Sequence, residues 1–148
     1  MTIKRARIAL LAGVCFLSIQ AIAAEKGGDS PEAGGRTYAQ NYKDMALALC
    51  ISTAYGGDAA VDAGSSFSAL RDWTLYDMEN APEKMKQIVE KYLRRDYHNP
   101  LVEAETKADI KFNFLKCLDM YHSKELDAQV KRVVSKPNRT YRQDYPAK

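Results

Sequence analysis

The sequence predicts an all-α protein: a compact bundle of about five helices, tied by one intrachain disulfide. Three observations predict it. Apolar residues recur at steps of three and four from Tyr42 to Val134, with no convincing alternation of period two. Helix start signals stand at Thr37, at Asn80-Ala81-Pro82-Glu83 and at Ser123. Two cysteines, Cys50 and Cys117, fall on the inner faces of two of these helices.

The chain begins with an export pattern. Lys4, Arg5 and Arg7 precede an apolar run, Ile8 to Ile19, that is too short for a membrane span. Ala21-Ile22-Ala23 then fits a cleavage site, so residues 1–23 read as a secretory signal peptide cut near Ala23. Cys15 lies inside that apolar run and goes with the discarded segment. The cut also changes the charge balance. The chain holds 22 bases and 19 acids; the segment takes three bases and no acid with it, leaving 19 against 19. A net charge of zero gives no whole-protein field for nucleic acid or for an anionic membrane. The remaining cysteines are an even pair in an oxidising compartment, and they are expected to bond to each other.

Residues 24–36, rich in Gly, Pro, Ser and charge, read as a flexible leader before a domain at 37–148. Thr37 caps the first helix, in which Tyr42, Met45, Ala46, Leu49, Cys50 and Thr53 share a face, and Gly56-Gly57 stops it. Residues 58–64 read as a short helix or turn. Ser65 or Ser66 then caps a second helix, with Phe67, Leu70, Trp73 and Thr74 on one stripe. Pro82 sits near the first position of the next helix, where its missing N–H costs nothing. Met85, Ile88, Val89, Tyr92 and Leu93 form its inner face, with Arg94 and Arg95 in the last turn.

Regularity breaks after that. Asn99-Pro100 disfavours helix, and the stretch from Arg95 to Asp109 is the longest irregular connection. Helix resumes near Ala108, with Ile110, Phe114, Cys117, Leu118 and Tyr121 on one face. Ser123 caps a final helix that turns Leu126, Val130, Val133 and Val134 inward. Residues 135–148 read as a basic, turn-rich tail.

Little chemistry is spelled out. A cysteine hydrolase needs a thiolate, a histidine and an orienting group. His122 lies five residues after Cys117, so on one helix the two point about 140° apart. There is no CxxC, HxxxH or HExxH spacing for a metal, and no glycine-rich phosphate loop. Carboxylate pairs such as Asp58 with Asp62 read as solvated surface. No cofactor is expected. The long loop, with Tyr97, His98 and Leu101, is left as the best candidate for function, because loops on a rigid scaffold carry binding. An exported cysteine hydrolase of the cell envelope, using Cys50 and a histidine, stands as the alternative, and a structural envelope protein as a third reading.

Five blocks in order, YKDMALALCISTAY, DAGSSFSALRDWTLYDME, KYLRRDYHNPLVE, FLKCLDMYHSKELD and PNRTYRQDYP, carry a resemblance over Tyr38 to Pro146. The chain resembles the immunity proteins of type VI secretion amidase effectors, fourth amidase family. The resemblance implies a periplasmic, all-helical homodimer, itself not an enzyme, that takes no metal or cofactor and no longer touches the membrane after signal cleavage. It implies a cognate effector partner: a peptidoglycan amidase of the NlpC/P60 kind, cutting between D-glutamate and diaminopimelate. It implies two binding surfaces. One is a helix matched to Ser66–Glu79, offering Ser68, Arg71, Asp72, Leu75, Asp77 and Glu79. The other is a protruding loop from the second subunit, matched to Asp96–Asp109. It offers Asp96, Tyr97, His98, Asn99, Pro100, Leu101, Glu103 and Glu105 to the catalytic groove. In that reading Cys50–Cys117 stiffens the loop's support and the reactive cysteine belongs to the partner.

Overall fold

Thr37 opens the first helix with a reciprocal capping box. Its hydroxyl accepts from the Gln40 N–H at 3.2 Å, and the Gln40 side chain accepts from the Thr37 N–H at 3.0 Å. Helix α1 (Tyr38–Ala54) follows and is the axis of the fold, packed by every other long helix. The computed structural model describes residues 30–97 and 110–146, and those from Pro31 onward belong to one compact unit. Among the described residues six α-helical segments and one short 3-10 turn occur, with two isolated antiparallel bridges and no strand.

The core is built from matching stripes. Tyr38, Tyr42, Met45, Ala46 and Cys50 of α1 are buried against Ala81, Met85, Ile88, Val89 and Tyr92 of α3 (Ala81–Leu93). Cys117 and Met120 of α4 (Asn113–Tyr121) and Leu126 and Val130 of α5 (Lys124–Val133) close it. The Tyr42 and Tyr76 rings meet edge to face at 5.5 Å. Pro82 stands in the first turn of α3, and the Ser123 hydroxyl accepts from the Leu126 N–H at 3.1 Å to cap α5. The bundle, the caps at Thr37 and Ser123 and the inner stripe of α3 are as the periodicity predicts, whereas Thr53 is exposed and α4 buries Lys116 and Met120 beside Cys117.

Cys50 and Cys117 are bonded, with Cα atoms 5.7 Å apart and both side chains fully buried. The bond joins α1 to α4 across 67 residues of chain. In the chain-entropy model a loop of that length contributes about 4 kcal/mol.

Four expectations change. First, residues 58–64 and 65–72 form one helix, α2 (Gly57–Asp72), running through Gly64. Ser65 and Ser66 are therefore no caps: the Ser65 hydroxyl donates back to the Val61 carbonyl at 2.9 Å inside the helix. Helix α2 packs along α1, and this packing outweighs the roughly 1 kcal/mol helix penalty of Gly64. Gly57, at φ 63°, supplies the left-handed corner between α1 and α2.

Second, α2 ends at Asp72, so the helix matched to Ser66–Glu79 is only half a helix. Leu75, Asp77 and Glu79 lie in the connection to α3, whose start Asp77 organises.

Third, part of the leader is packed. Glu32–Gly35 forms the 3-10 turn, Ala33 is buried, and its carbonyl accepts from Asn41 Nδ2 at 2.8 Å. The same amide group donates to the Trp73 carbonyl at 3.0 Å, fastening this turn to the end of α2.

Fourth, the basic tail is part of the fold. Asp77 N–H donates to Val133 O and Ser135 N–H to Leu75 O, both at 2.9 Å, flanking the Tyr76–Val134 bridge. A last turn, α6 (Tyr141–Asp144), begins with a second capping box on Thr140 and Gln143. Its Asp144 accepts from the buried Tyr38 hydroxyl at 3.0 Å.

Candidate functional site

The candidate loop leaves from α3 and returns to α4. Both ends are held, and α4 does most of the holding. On the outgoing side the Tyr97 hydroxyl donates to the Asp119 carboxylate of α4. Burial raises the Tyr97 pKa, and the hydrogen bond to Asp119 adds to that. Lys116 is buried; its ammonium donates to the Leu93 carbonyl at 3.3 Å and lies 5.7 Å from the centre of the Tyr97 ring. It thus uses the last carbonyl of α3, an orphan at a helix end, as its ligand. Arg95 stacks on the Tyr92 ring at 3.6 Å. Asp96 is exposed.

On the returning side Phe112 takes φ 51°, a left-handed corner that a non-glycine residue enters only at a cost. It delays the start of α4 to Asn113, later than the residues near Ala108 that periodicity suggests. Asn113 Nδ2 donates to the Ala54 carbonyl, the last residue of α1, at 3.2 Å. Phe114 then faces out, 54% exposed, with Leu115 beside it at 46%. The inward place expected for Phe114 is therefore not taken. Tyr55, Ile110, Phe112, Phe114 and Leu115 line a largely apolar groove at this foot. Asn113, Lys116, Cys117 and Asp119 thus tie α4 to the end of α1, the end of α3, Cys50 in the C-terminal half of α1 and Tyr97.

Of the loop residues singled out above, Asp96 and Tyr97 are placed. His98, Asn99, Pro100, Leu101, Glu103 and Glu105 lie outside the described residues. Of the second surface, Ser68, Arg71 and Asp72 are exposed along α2, and Leu75 is 39% exposed just beyond it. Asp72 and Leu75 border a recess shared with Tyr38, Tyr141 and Tyr145. Asp77 does something else. Its carboxylate accepts from the N–H groups of Glu79 at 3.0 Å and Asn80 at 3.1 Å and from Asn80 Nδ2 at 2.9 Å. Those bonds, the Asn80 side chain first, lower its pKa below the ordinary carboxylate value.

The cysteines carry no nucleophilic chemistry in this arrangement. Both sulfurs are spent in the bond, and a disulfide sulfur has no thiolate to offer. His122 is exposed and stacks edge to face on Tyr121. Among the described residues no group of three or more His, Cys, Asp or Glu side chains is placed to hold a metal ion, and no helix is long and apolar enough to cross a membrane.

The arrangement is a buttressed loop platform beside a solvated helix face. Comparison with known proteins gives the family. A family model described as type VI secretion system (T6SS), amidase immunity protein (Tai4), matches residues 40–130. The chain belongs to this family. The matched span runs from the first turn of α1 into α5, and includes both loop feet and both cysteines. Among solved structures, one from work on new type VI-secreted toxins and self-resistance proteins in Serratia marcescens is similar. It shares 27% identity at a TM-score of 0.68, over 82% of this chain and 100% of that one. A chain of the effector–immunity system Tae4/Tai4 from Salmonella typhimurium is similar at 24% identity and a TM-score of 0.60, over 70% of this chain and 96% of that one. That second likeness speaks to the fold. No curated protein matches.

Sequence reasoning missed Lys116, Asp119 and Asn41 as organisers. Tyr97 and Asp119 are 22 residues apart, and no local pattern pairs them. A lysine at the position before Cys117 on an inner face was the available signal, since a buried lysine must find a partner.

Proposed function

We propose that this immunity protein works in the periplasm, after removal of residues 1–23, by binding a cognate type VI amidase effector and blocking it sterically. The effector is a peptidoglycan amidase that cuts between D-glutamate and diaminopimelate. The loop between Tyr97 and Ile110 enters its catalytic groove, and the face of α2 around Ser68, Arg71 and Asp72 packs on its surface. The supporting observation is the double anchoring of the loop feet on α4. A blocker must not be swept aside or ordered at the moment of binding, since ordering costs affinity. A platform tied at four points, one of them covalent, meets that need. The disulfide fits an oxidising compartment. The protein works as a homodimer, and the exposed apolar side chains Tyr55, Phe114 and Leu115 offer a surface for the second copy.

The test is a deletion of residues 98–106 that spares Tyr97. The shortened protein is expected to keep its helical circular dichroism and its melting behaviour. It should lose protection in a muropeptide cleavage assay with the amidase. Full protection by the shortened protein would remove the loop from the mechanism.

A further inference from the structure

Helices α3 and α5 enclose a cleft of about 340 Å³ whose charge is one-sided. Lys84 and Lys91 line it from α3, Arg94 from just past the end of α3 and Arg132 from α5, against a single lining acid, Glu125. In a chain with no net charge after residues 1–23 this is a local concentration, and a concave wall focuses it. Glu125 already shows what the cleft accepts. Its carboxylate bridges the two helices by pairing with the Lys91 ammonium at 2.8 Å. Arg94 leans on Glu90 of α3 at 3.4 Å. Lys84 and Arg132 make no ion pair among the described residues. The Gln129 side chain, 2% exposed, also borders this wall, with its amide against the Tyr42 hydroxyl of the core. Ile88 adds an apolar wall.

We propose that this cleft is a docking site for an acidic side chain, a glutamate or aspartate projecting from a protein partner. The apolar stem lies along Ile88, and the carboxylate meets Arg132 and Lys84 beside the pair already formed by Lys91 and Glu125. The concave shape favours a projecting side chain. A flat anionic lipid surface would meet the rim alone and leave the cleft floor unused. The site is made by α3 and α5 and needs neither the loop nor the amidase, so it stands or falls separately from the inhibition described above.

Fluorescein-labelled hexaglutamate is the probe, followed by anisotropy with the purified full-length exported protein at low ionic strength. Saturable binding is expected, weakened about tenfold or more in the Lys84→Gln/Arg132→Gln double variant. Lys131→Gln, an exposed neutral control on the same helix, is expected to leave it unchanged. Circular dichroism confirms that the variants fold. Absence of saturable binding would overturn the proposal, as would equal losses in the control. Tighter binding to phosphatidylglycerol vesicles or to inorganic phosphate than to hexaglutamate would overturn it too.

Discussion

The Tyr97 hydroxyl donates to the Asp119 carboxylate, linking the last described residue of the outgoing loop foot to the last turn of α4. A hydrogen bond to a charged acceptor is among the stronger ones, and this one is the only side-chain tie from Tyr97 to α4 among the described hydrogen bonds. Tyr97→Phe keeps the ring near Lys116 and removes the tie. The expected loss of global stability is about 1 kcal/mol, read from urea unfolding. Inhibition of the amidase is expected to fall by more than that loss explains, because the loop foot is freed. Equal inhibition by the variant would mean that the foot need not be fixed.

The disulfide acts on the whole molecule. Cys50→Ala/Cys117→Ala closes no loop in the unfolded chain, so stability should drop by about 3–4 kcal/mol, less whatever strain the bond carries. Urea midpoints of the two proteins measure it. In the unreduced native protein no thiol of this pair should react with maleimide until denaturant is added together with reductant. Two reactive thiols in the oxidised, purified protein would contradict the bond.

The resemblance groups Asp77 and Arg71 on one binding surface, and in the structure the two do different local work. Asp77 closes the turn that precedes α3 with three hydrogen bonds from Glu79 and Asn80, whereas Arg71 is exposed in the last turn of α2. Asp77→Ala is therefore expected to lower the urea midpoint measurably, because the Glu79 and Asn80 donors of the turn lose their acceptor. Arg71→Glu is expected to leave stability within about 0.5 kcal/mol and to weaken amidase binding. Isothermal calorimetry on variants whose melting curves are known separates the two effects. If Arg71→Glu binds as the parent does, this face of α2 lies outside the interface.

The helical core was legible because its signals are local. Steps of three and four place Met85, Ile88, Val89 and Tyr92 inward, and Thr37 and Ser123 announce their helices within three residues. The boundary of α2 was not legible, because Gly64-Ser65-Ser66 has the composition of a break, and only packing against α1 overrides it. The contacts of the basic, turn-rich tail were not legible for a related reason. Its ties run from Asp144 to Tyr38 and from Ser135 to Leu75, across the length of the chain, and no window of sequence contains both partners. The same holds at the loop feet. The sequence marks Asn99-Pro100 as irregular, while Lys116 and Asp119, which brace the exit, sit within an ordinary helical pattern.

The Tyr38–Asp144 hydrogen bond at 3.0 Å places a pH limit on each side of the stable range. The Arg139 guanidinium, bonded to Asp144, is the main cause of that carboxyl's lowered pKa; the Tyr38 hydroxyl and the nearby Lys136 charge act in the same direction. A group lowered on folding stabilises above its ordinary value of 3.8 and loses that contribution as pH falls below it. Tyr38 moves the other way. Burial, then the hydrogen bond to Asp144 and its negative charge, push it up to about 12. A group raised on folding contributes fully below its unfolded value and loses the contribution as pH rises through the folded one. Tyr38 therefore favours the fold up to its ordinary value of 10.0 and ceases to do so near 12. Asp144→Asn is expected to flatten the acid limb of the stability profile below pH 3.8 and to bring the Tyr38 ionisation down toward 10.0. Tyr38→Phe should remove one late-ionising tyrosinate from the ultraviolet titration. Tyr42, also pushed up to about 12 chiefly by burial, should still ionise late in that variant. An acid limb of unchanged slope in Asp144→Asn would show that the carboxyl is not held down by its partners.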